Sequence, residues 1–70
     1  MDNAIRMATW RRYRGLTLQD IATDLGVTVS AASLWESGDA NPSHAHLAKL
    51  VTQTLRLTWA RFYGALPEEA

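Results

Sequence analysis

Apolar residues recur at steps of three and four along most of the chain, which is the spacing of one face of an α-helix. Residues 3–14 predict a first helix of this kind. Its inward face consists of Met7, Trp10 and either Tyr13 or Arg14, and Ile5 can extend it. No segment alternates apolar and polar residues as a half-buried strand does. The pattern therefore predicts an all-helical protein.

Glycine and proline divide the chain into short pieces. The breaks fall at Gly15, at Gly26, in the run from Gly38 to Pro42, and at Gly64 followed by Pro67. Gly15 suits the left-handed position just past a helix end. Every piece between breaks is too short for a domain. We therefore expect one domain over residues 1–70, folded as a compact five-helix bundle.

Polar residues mark the predicted helix starts. Thr17 with Asp20 three residues later is a variant of the capping box, and Asp20 also suits the positive end of the helix dipole. Thr28 can cap a third helix, Pro42-Ser43 begins a fourth, and Leu57-Thr58 leads into a short fifth. The expected inward residues of these four helices are Ile21, Ala22 and Leu25; Ala32 and Trp35; Leu47, Leu50, Val51 and Thr54 or Leu55; and Trp59, Phe62 and Tyr63.

Composition excludes several classes of protein. The 70 residues are 47% hydrophobic and 20% charged, as in a packed domain rather than a disordered tail. There is no cysteine, and the pair His44-x-His46 is a weak metal site, so we expect no metal or other cofactor. Glu36 has no second carboxylate at a useful spacing, and neither a Ser-His-Asp arrangement nor a phosphate loop is present. We expect neither catalysis nor a small-molecule substrate.

The location and the charge of the chain give less direct information. No stretch approaches the roughly 18 apolar residues of a membrane span, and the polar start Met1-Asp2-Asn3 lacks a signal-peptide core, so we expect a cytoplasmic protein with no membrane partner. Seven basic residues balance seven acidic ones, whereas nucleic-acid binders usually have an excess of base. The distribution is uneven, because Arg6, Arg11, Arg12 and Arg14 precede residue 15, while Glu68 and Glu69 are near the end. These arginines form either a phosphate-binding surface or a solvated helix face.

The second and third predicted helices are joined by a short turn that contains Gly26, as in a helix-turn-helix, here about residues 17–37. The pattern LTxxDIAxxLGVTxSxxSxWExGxxNPS runs from Leu16 to Ser43. It resembles the phage repressor/Cro family, the Xre type, nearly position for position. The likeness extends over about 55 residues, from Arg11 and Gly15 to Leu47-x-x-Leu50, which is too long a set of matches to arise easily by chance.

The resemblance implies a double-stranded DNA-binding module whose third helix enters the major groove. By likeness, base edges are met from Thr28, Val29, Ser30, Ser33 and Leu34. Phosphate contacts fall at Thr17, Leu18, Ser37, Asn41 and Ser43, with Leu18 standing where relatives commonly have glutamine. Arg11 and Glu36 occupy positions that form an ion pair in this family. Such a pair orients the recognition helix without reading bases.

The recognition helix departs from its relatives in being apolar. Val29, Ala31 and Leu34 stand where relatives usually place side chains that make two-point hydrogen bonds to adenine or guanine. Apolar side chains can contact thymine methyl groups, and serine bonds to several bases. We therefore expect discrimination to be low or to rest on DNA shape.

Three functions follow as hypotheses. The first is a phage- or prophage-type repressor, Cro-like since the chain ends after the module, that binds a palindromic operator as a homodimer in a bacterial or phage-infected cell, at the nucleoid. Relatives dimerise through the region of the fifth helix, here about residues 58–65. Trp59, Phe62 and Tyr63 there form a self-association surface or simply fill the core. The second function is an interaction module that presents its apolar third helix to a protein. The third is an antitoxin or excision-type factor.

Overall fold

The computed structural model describes residues 3–67, and all the regular secondary structure in this part of the chain is helical, without a strand. Its elements are α1 (Asn3–Tyr13), α2 (Leu18–Leu25), α3 (Val29–Ser37), α4 (His44–Lys49), a π-helical segment (Leu50–Thr54) that continues α4, and α5 (Trp59–Tyr63). The all-helical class and the five helices are confirmed. Glu68 and Glu69, part of the predicted charge distribution, lie outside the described residues.

The helix starts form as the sequence predicts. Thr17 Oγ1 accepts a hydrogen bond of 3.0 Å from the Asp20 N–H, and Asp20 Oδ2 accepts one of 2.9 Å from the Thr17 N–H, which completes the capping box. Thr28 and Ser43 accept from the amide three residues on, at 3.0 and 3.1 Å. Gly26 ends α2 at φ 71°, a left-handed angle that disfavours any residue with a Cβ. Local capping thus sets the boundaries of the helix-turn-helix.

The core lies where α1, α2 and α3 meet the C-terminal half of the chain. Its largest fully buried side chains are Trp10, Phe62, Leu55 and Val51. Leu55 rather than Thr54 completes the inward face of the fourth helical region. The indole of Trp10 is also tied to α5, because its Nε1 donates to the Phe62 carbonyl at 3.4 Å. One tryptophan therefore joins the first helix to the last.

The predicted face of α1 is correct at its centre and wrong at its ends. Met7 and Trp10 are buried, but Tyr13 and Arg14 are exposed, and Ile5 keeps 52% of its surface in solvent. The face continues instead through Ala4, three residues before Met7, where a small side chain fits a close helix contact. Tyr13 packs edge-on against Trp10 with ring centroids 5.5 Å apart.

The sequence predicts a regular fourth helix, but after Lys49 the backbone hydrogen bonds span five or six residues instead of four. The Leu55 N–H donates to the Leu50 carbonyl at 2.8 Å, and the Leu57 N–H to the Val51 carbonyl at 2.8 Å. Wider turns of this kind are rare and occur mostly as single-turn insertions. Arg56 then adopts φ 56°, the left-handed angle of a helix-ending residue. The result is that Leu55 and Leu57 both enter the core.

Two arginines, one in α1 and one directly after it, bind carbonyl groups at the ends of C-terminal helices. Arg6 Nη1 donates to Phe62 O at 2.8 Å and to Gly64 O at 2.7 Å. Arg14 Nε donates to Leu55 O at 2.9 Å. A cation suits these positions, since the last carbonyls of a helix lack partners and carry partial negative charge. Arg6 and Arg14 thus stabilise the fold. The sequence predicted for them either a phosphate-binding surface or a solvated helix face, and neither includes this role.

Candidate nucleic-acid interface

The helix-turn-helix is held together by small and apolar contacts at its crossing. Ala22 on α2 and Ala32 on α3 are both almost completely buried, so the two helices approach closely. Val27, in the turn, packs half-buried against the core, and Trp35 anchors the far end of α3. The inward side of α3 is therefore fixed, which leaves its opposite side to face solvent.

That outward face brings together the residues expected to read bases. Val29 and Leu34 are 38% and 46% exposed, and Ser30 and Ser33 are exposed beside them. Within the described part of the chain, the hydroxyls of both serines make no hydrogen bond. Thr28, at the start of the helix, uses its oxygen to accept from the Ala31 N–H. The geometry is that of an exposed recognition helix with an apolar and hydroxyl-bearing surface.

The residues expected at phosphates divide into two groups. Thr17 and Ser43 cap α2 and α4 as acceptors, so each hydroxyl still has its proton to donate. Asn41 is exposed in the preceding loop. Leu18 is different, because its side chain packs half-buried against the core. A phosphate contact at Leu18 therefore falls to its backbone N–H, at the start of α2, and not to its side chain.

Ser37 is already engaged within the protein. Its Oγ lies 3.0 Å from Leu34 O and 2.9 Å from Asp39 Oδ2, and its single proton serves one of these acceptors at a time. The neighbouring carboxylate of Asp39 repels a phosphate. This corner of the surface is thus less suited to DNA than the caps at Thr17 and Ser43.

The ion pair implied by the resemblance is present. Arg11 Nε donates to Glu36 Oε2 at 2.7 Å and Arg11 Nη2 to Glu36 Oε1 at 3.1 Å, a two-point contact. A third bond runs from Arg11 Nη1 to Leu16 O at 2.9 Å. The side chains are 16% and 14% exposed, so water screens the pair weakly. Arg11 therefore ties α1, the start of α2 and α3 into one rigid unit.

Basic residues are missing from the interface itself. No lysine or arginine occurs between residues 15 and 48, whereas this stretch contains Asp20, Asp24, Glu36 and Asp39. Arg11 neutralises Glu36 alone among these. The zero net charge of the whole chain hides this local deficit, which a count over the helix-turn-helix would have exposed. Any DNA contact here must depend mainly on helix N-termini and hydroxyls.

The fifth helix presents an aromatic row that extends beyond α5. Tyr63 is 49% exposed and stacks on half-buried Trp59 at 6.0 Å, and Trp59 stacks on exposed His44 at 6.5 Å with rings 4° from parallel. Phe62 does not belong to this surface, because its side chain is 0% exposed. The prediction of Phe62 as an interface residue is wrong, since its position on the short helix turns its side chain into the core.

Comparison with known proteins agrees with this geometry. A family model described as helix-turn-helix matches residues 7–53, from α1 to the π-helical segment. The chain belongs to that helix-turn-helix family. It is of the Xre type, whose members are DNA-binding transcription regulators. Neither the curated proteins nor the solved structures include a significant match. None of the helices in the described part has the length and apolar run that crossing a membrane requires.

Proposed function

We propose that this protein is a sequence-directed repressor of the phage or prophage type, Cro-like, acting as a homodimer on a palindromic operator at the bacterial nucleoid. The observation that carries the proposal is the outward face of α3. Four neighbouring side chains there, Val29, Ser30, Ser33 and Leu34, are exposed on a helix whose other side is locked into the core. An exposed second helix of this motif is the part that enters the major groove.

The face supports a particular way of reading DNA. Serine hydroxyls donate to or accept from base edges, and Val29 and Leu34 are suited to thymine methyl groups. None of these side chains makes a two-point hydrogen bond to a purine. We therefore propose preference for thymine-bearing steps, with DNA shape supplying part of the selectivity.

The proposed grip on the phosphates is weakly dependent on salt. Proteins that neutralise six to ten phosphates with basic side chains lose about 10³ to 10⁵ in affinity between 50 and 200 mM salt. With no lysine or arginine in residues 16–48, this interface releases few counterions. We expect the slope of log K against log salt to be much shallower than in such proteins, because hydroxyl and backbone N–H contacts release few counterions.

Selection from random DNA followed by titration at low and raised salt tests the function. The wild type is expected to enrich thymine-containing half-sites, and Leu34→Ala to weaken binding to them about fivefold, since one apolar base contact is lost. Ile5→Ala is the matched control, because it removes an exposed aliphatic side chain from α1 instead. Absence of binding at micromolar protein in low salt would contradict DNA recognition, and equal preference in the Leu34 variant would contradict the assignment of the reading face.

Trp59 and Tyr63 are proposed as the dimer contact, extended by His44. Their side chains stack into a continuous, partly exposed aromatic surface, and aromatic residues are enriched at protein interfaces. In sedimentation equilibrium we expect the wild type to form dimers as concentration rises, and Tyr63→Ala to remain monomeric at the same concentrations. Tyr13→Ala, on α1, is the control and should behave as wild type. If both variants match a wild-type monomer, α5 is not an interface.

A second candidate function is an interaction module for a cationic protein segment. The observation that favours it is the same local charge, three aspartates outside the Arg11–Glu36 pair and no lysine or arginine in residues 16–48, combined with exposed Val29 and Leu34. The DNA titration separates the two functions, because a protein-binding module shows no DNA affinity even at low salt.

A further inference from the structure

We propose that Arg14 and Arg56 form a phosphate-binding cleft beside the start of α2. The cleft supplies the cations that the recognition motif lacks. We assign the bound phosphate to the DNA backbone that flanks the half-site, and this assignment rests on the proposed DNA-binding function. The cleft itself is argued from geometry that does not depend on DNA.

Both arginines line one cavity. It measures about 360 Å³ and is bounded by Arg14, Leu16, Thr54, Leu55 and Arg56. No carboxylate belongs to this lining, and Leu16 and Leu55 give it an apolar floor. Two cations beside an apolar floor, away from water on one side, favour a compact anion with several acceptor oxygens.

Arg14 is held in position for this role. Its Nε donates to Leu55 O at 2.9 Å and its Nη2 lies 3.5 Å from Arg56 O, so the plane of the guanidinium is fixed at the rim of the cavity. Nη1 makes no hydrogen bond to another described residue. Arg14 therefore keeps donors for a ligand while its orientation is already set.

Arg56 is uncompensated within the described part of the chain. Its guanidinium makes neither a hydrogen bond nor an ion pair there. Its backbone has φ 56°, at a helix end where glycine is the easiest residue to place. Glycine would adopt this angle without the strain that a side chain causes, so the presence of a long cationic residue points to a role for the side chain itself.

The nearest acids do not neutralise the cleft. Asp20 and Asp24 line an adjoining cavity of about 510 Å³, which Arg56 also borders. Asp24 Oδ2 accepts from Thr54 Oγ1 at 2.6 Å, and Asp20 Oδ2 from the Thr17 N–H. Neither aspartate forms a salt bridge with Arg56 in the described part of the chain. The proposed anion site therefore uses the lining that Arg56 shares with Arg14, which contains no carboxylate.

The position of the cleft suggests the source of its phosphate. Leu16, in its lining, directly precedes Thr17, the cap that is expected to grip the DNA backbone. A duplex that contacts the start of α2 would place its next phosphates along this side of the protein. A free phosphorylated small molecule has the same chemistry, and the experiment distinguishes the two sources.

Arg56→Gly is the decisive variant, because it removes the cation and relieves the left-handed strain. We expect its thermal midpoint to rise while its affinity for a long duplex at 50 mM salt falls about fivefold, with a salt slope smaller by about 1. Arg56→Lys should retain the slope. Arg61→Ala is the control, since that exposed cation packs over Trp10 outside the cleft. A duplex trimmed to the half-site should bind wild type and Arg56→Gly equally.

Side-chain NMR with inorganic phosphate as the probe provides an arm that is independent of DNA. We expect the Arg14 Nε–H and Arg56 Nε–H signals of the wild type to shift, and the Arg14 shift to disappear in Arg56→Gly. Shifts without a change in the DNA salt slope, or without any DNA binding, would assign the cleft to a free phosphorylated ligand and overturn its role on DNA. A change in slope without shifts supports the DNA role. An unchanged slope together with unshifted signals would overturn the cleft, whether or not the protein binds DNA.

Discussion

Trp10→Ala is expected to leave the protein largely unfolded at 37 °C. Trp10 is almost completely buried and bridges α1 to α5, both through packing and through its bond to Phe62 O. Truncating a buried tryptophan costs about 3 to 5 kcal/mol, and a domain of this size has a free energy of unfolding of about the same magnitude. Circular dichroism during urea and thermal unfolding measures the loss.

Two further variants make the Trp10 result specific. Trp10→Phe keeps part of the ring and loses the indole donor, so it should destabilise by about half as much. Tyr13→Ala removes the aromatic residue that packs edge-on against Trp10 but lies largely in solvent, and it should cost less than about 1 kcal/mol. A cooperative transition of Trp10→Ala within 1 kcal/mol of wild type would show that the core does not depend on this bridge.

Arg11→Ala is expected to have the second largest effect, about 2 to 4 kcal/mol. The variant leaves Glu36 as a mostly buried carboxylate without its two-point partner, and it removes the donor to Leu16 O. Breaking one side of such a pair costs more than the pair contributes, because the remaining charge stays desolvated. Urea unfolding at pH 7 measures the change in the free energy of unfolding.

A double-mutant cycle separates these contributions. Arg11→Met with Glu36→Leu replaces both charges by apolar side chains and should be less destabilising than Arg11→Ala alone. Glu36→Gln keeps the shape of the acceptor and should fall between the two. If the effects of the Arg11 and Glu36 substitutions simply add, the ion pair does not couple α1 to α3.

Local signals made most of the fold predictable. The caps at Thr17, Thr28 and Ser43 and the break at Gly26 depend on hydrogen bonds within four residues, so their effects can be read without knowing the rest of the structure. The inward residues of α2 and α3 follow from the same short-range periodicity.

Features that depend on distant parts of the chain were not predictable. Arg6 and Arg14 bind carbonyls more than 40 residues away, and no local pattern reveals such partners. The π-helical segment is similarly a response to the packing of Leu55 and Leu57. Ile5 has the same hydrophobicity as a core residue, and only the assembled bundle leaves it outside.

The candidate site shows the same division. The family pattern placed the outward residues of α3 together, because helical geometry fixes which side opposes Ala32 and Trp35. On α5, a helix of five residues, periodicity did not distinguish Phe62, which is buried, from Tyr63, which is exposed. Arg56 carried no signal, since a helix end without glycine gives no warning of a left-handed residue.

The contacts of Arg6 can form only after the C-terminal end of the chain has been synthesised. Its two carbonyl partners lie 56 and 58 residues further along the chain, and Phe62 supplies a fully buried ring to the same core. During synthesis, α1 to α3 emerge first with the slot for that ring still open and Trp10 lacking its acceptor. The recognition helix is therefore assembled before the element that seals it, and a nascent or C-terminally clipped chain would present a loosened, aggregation-prone form of the motif.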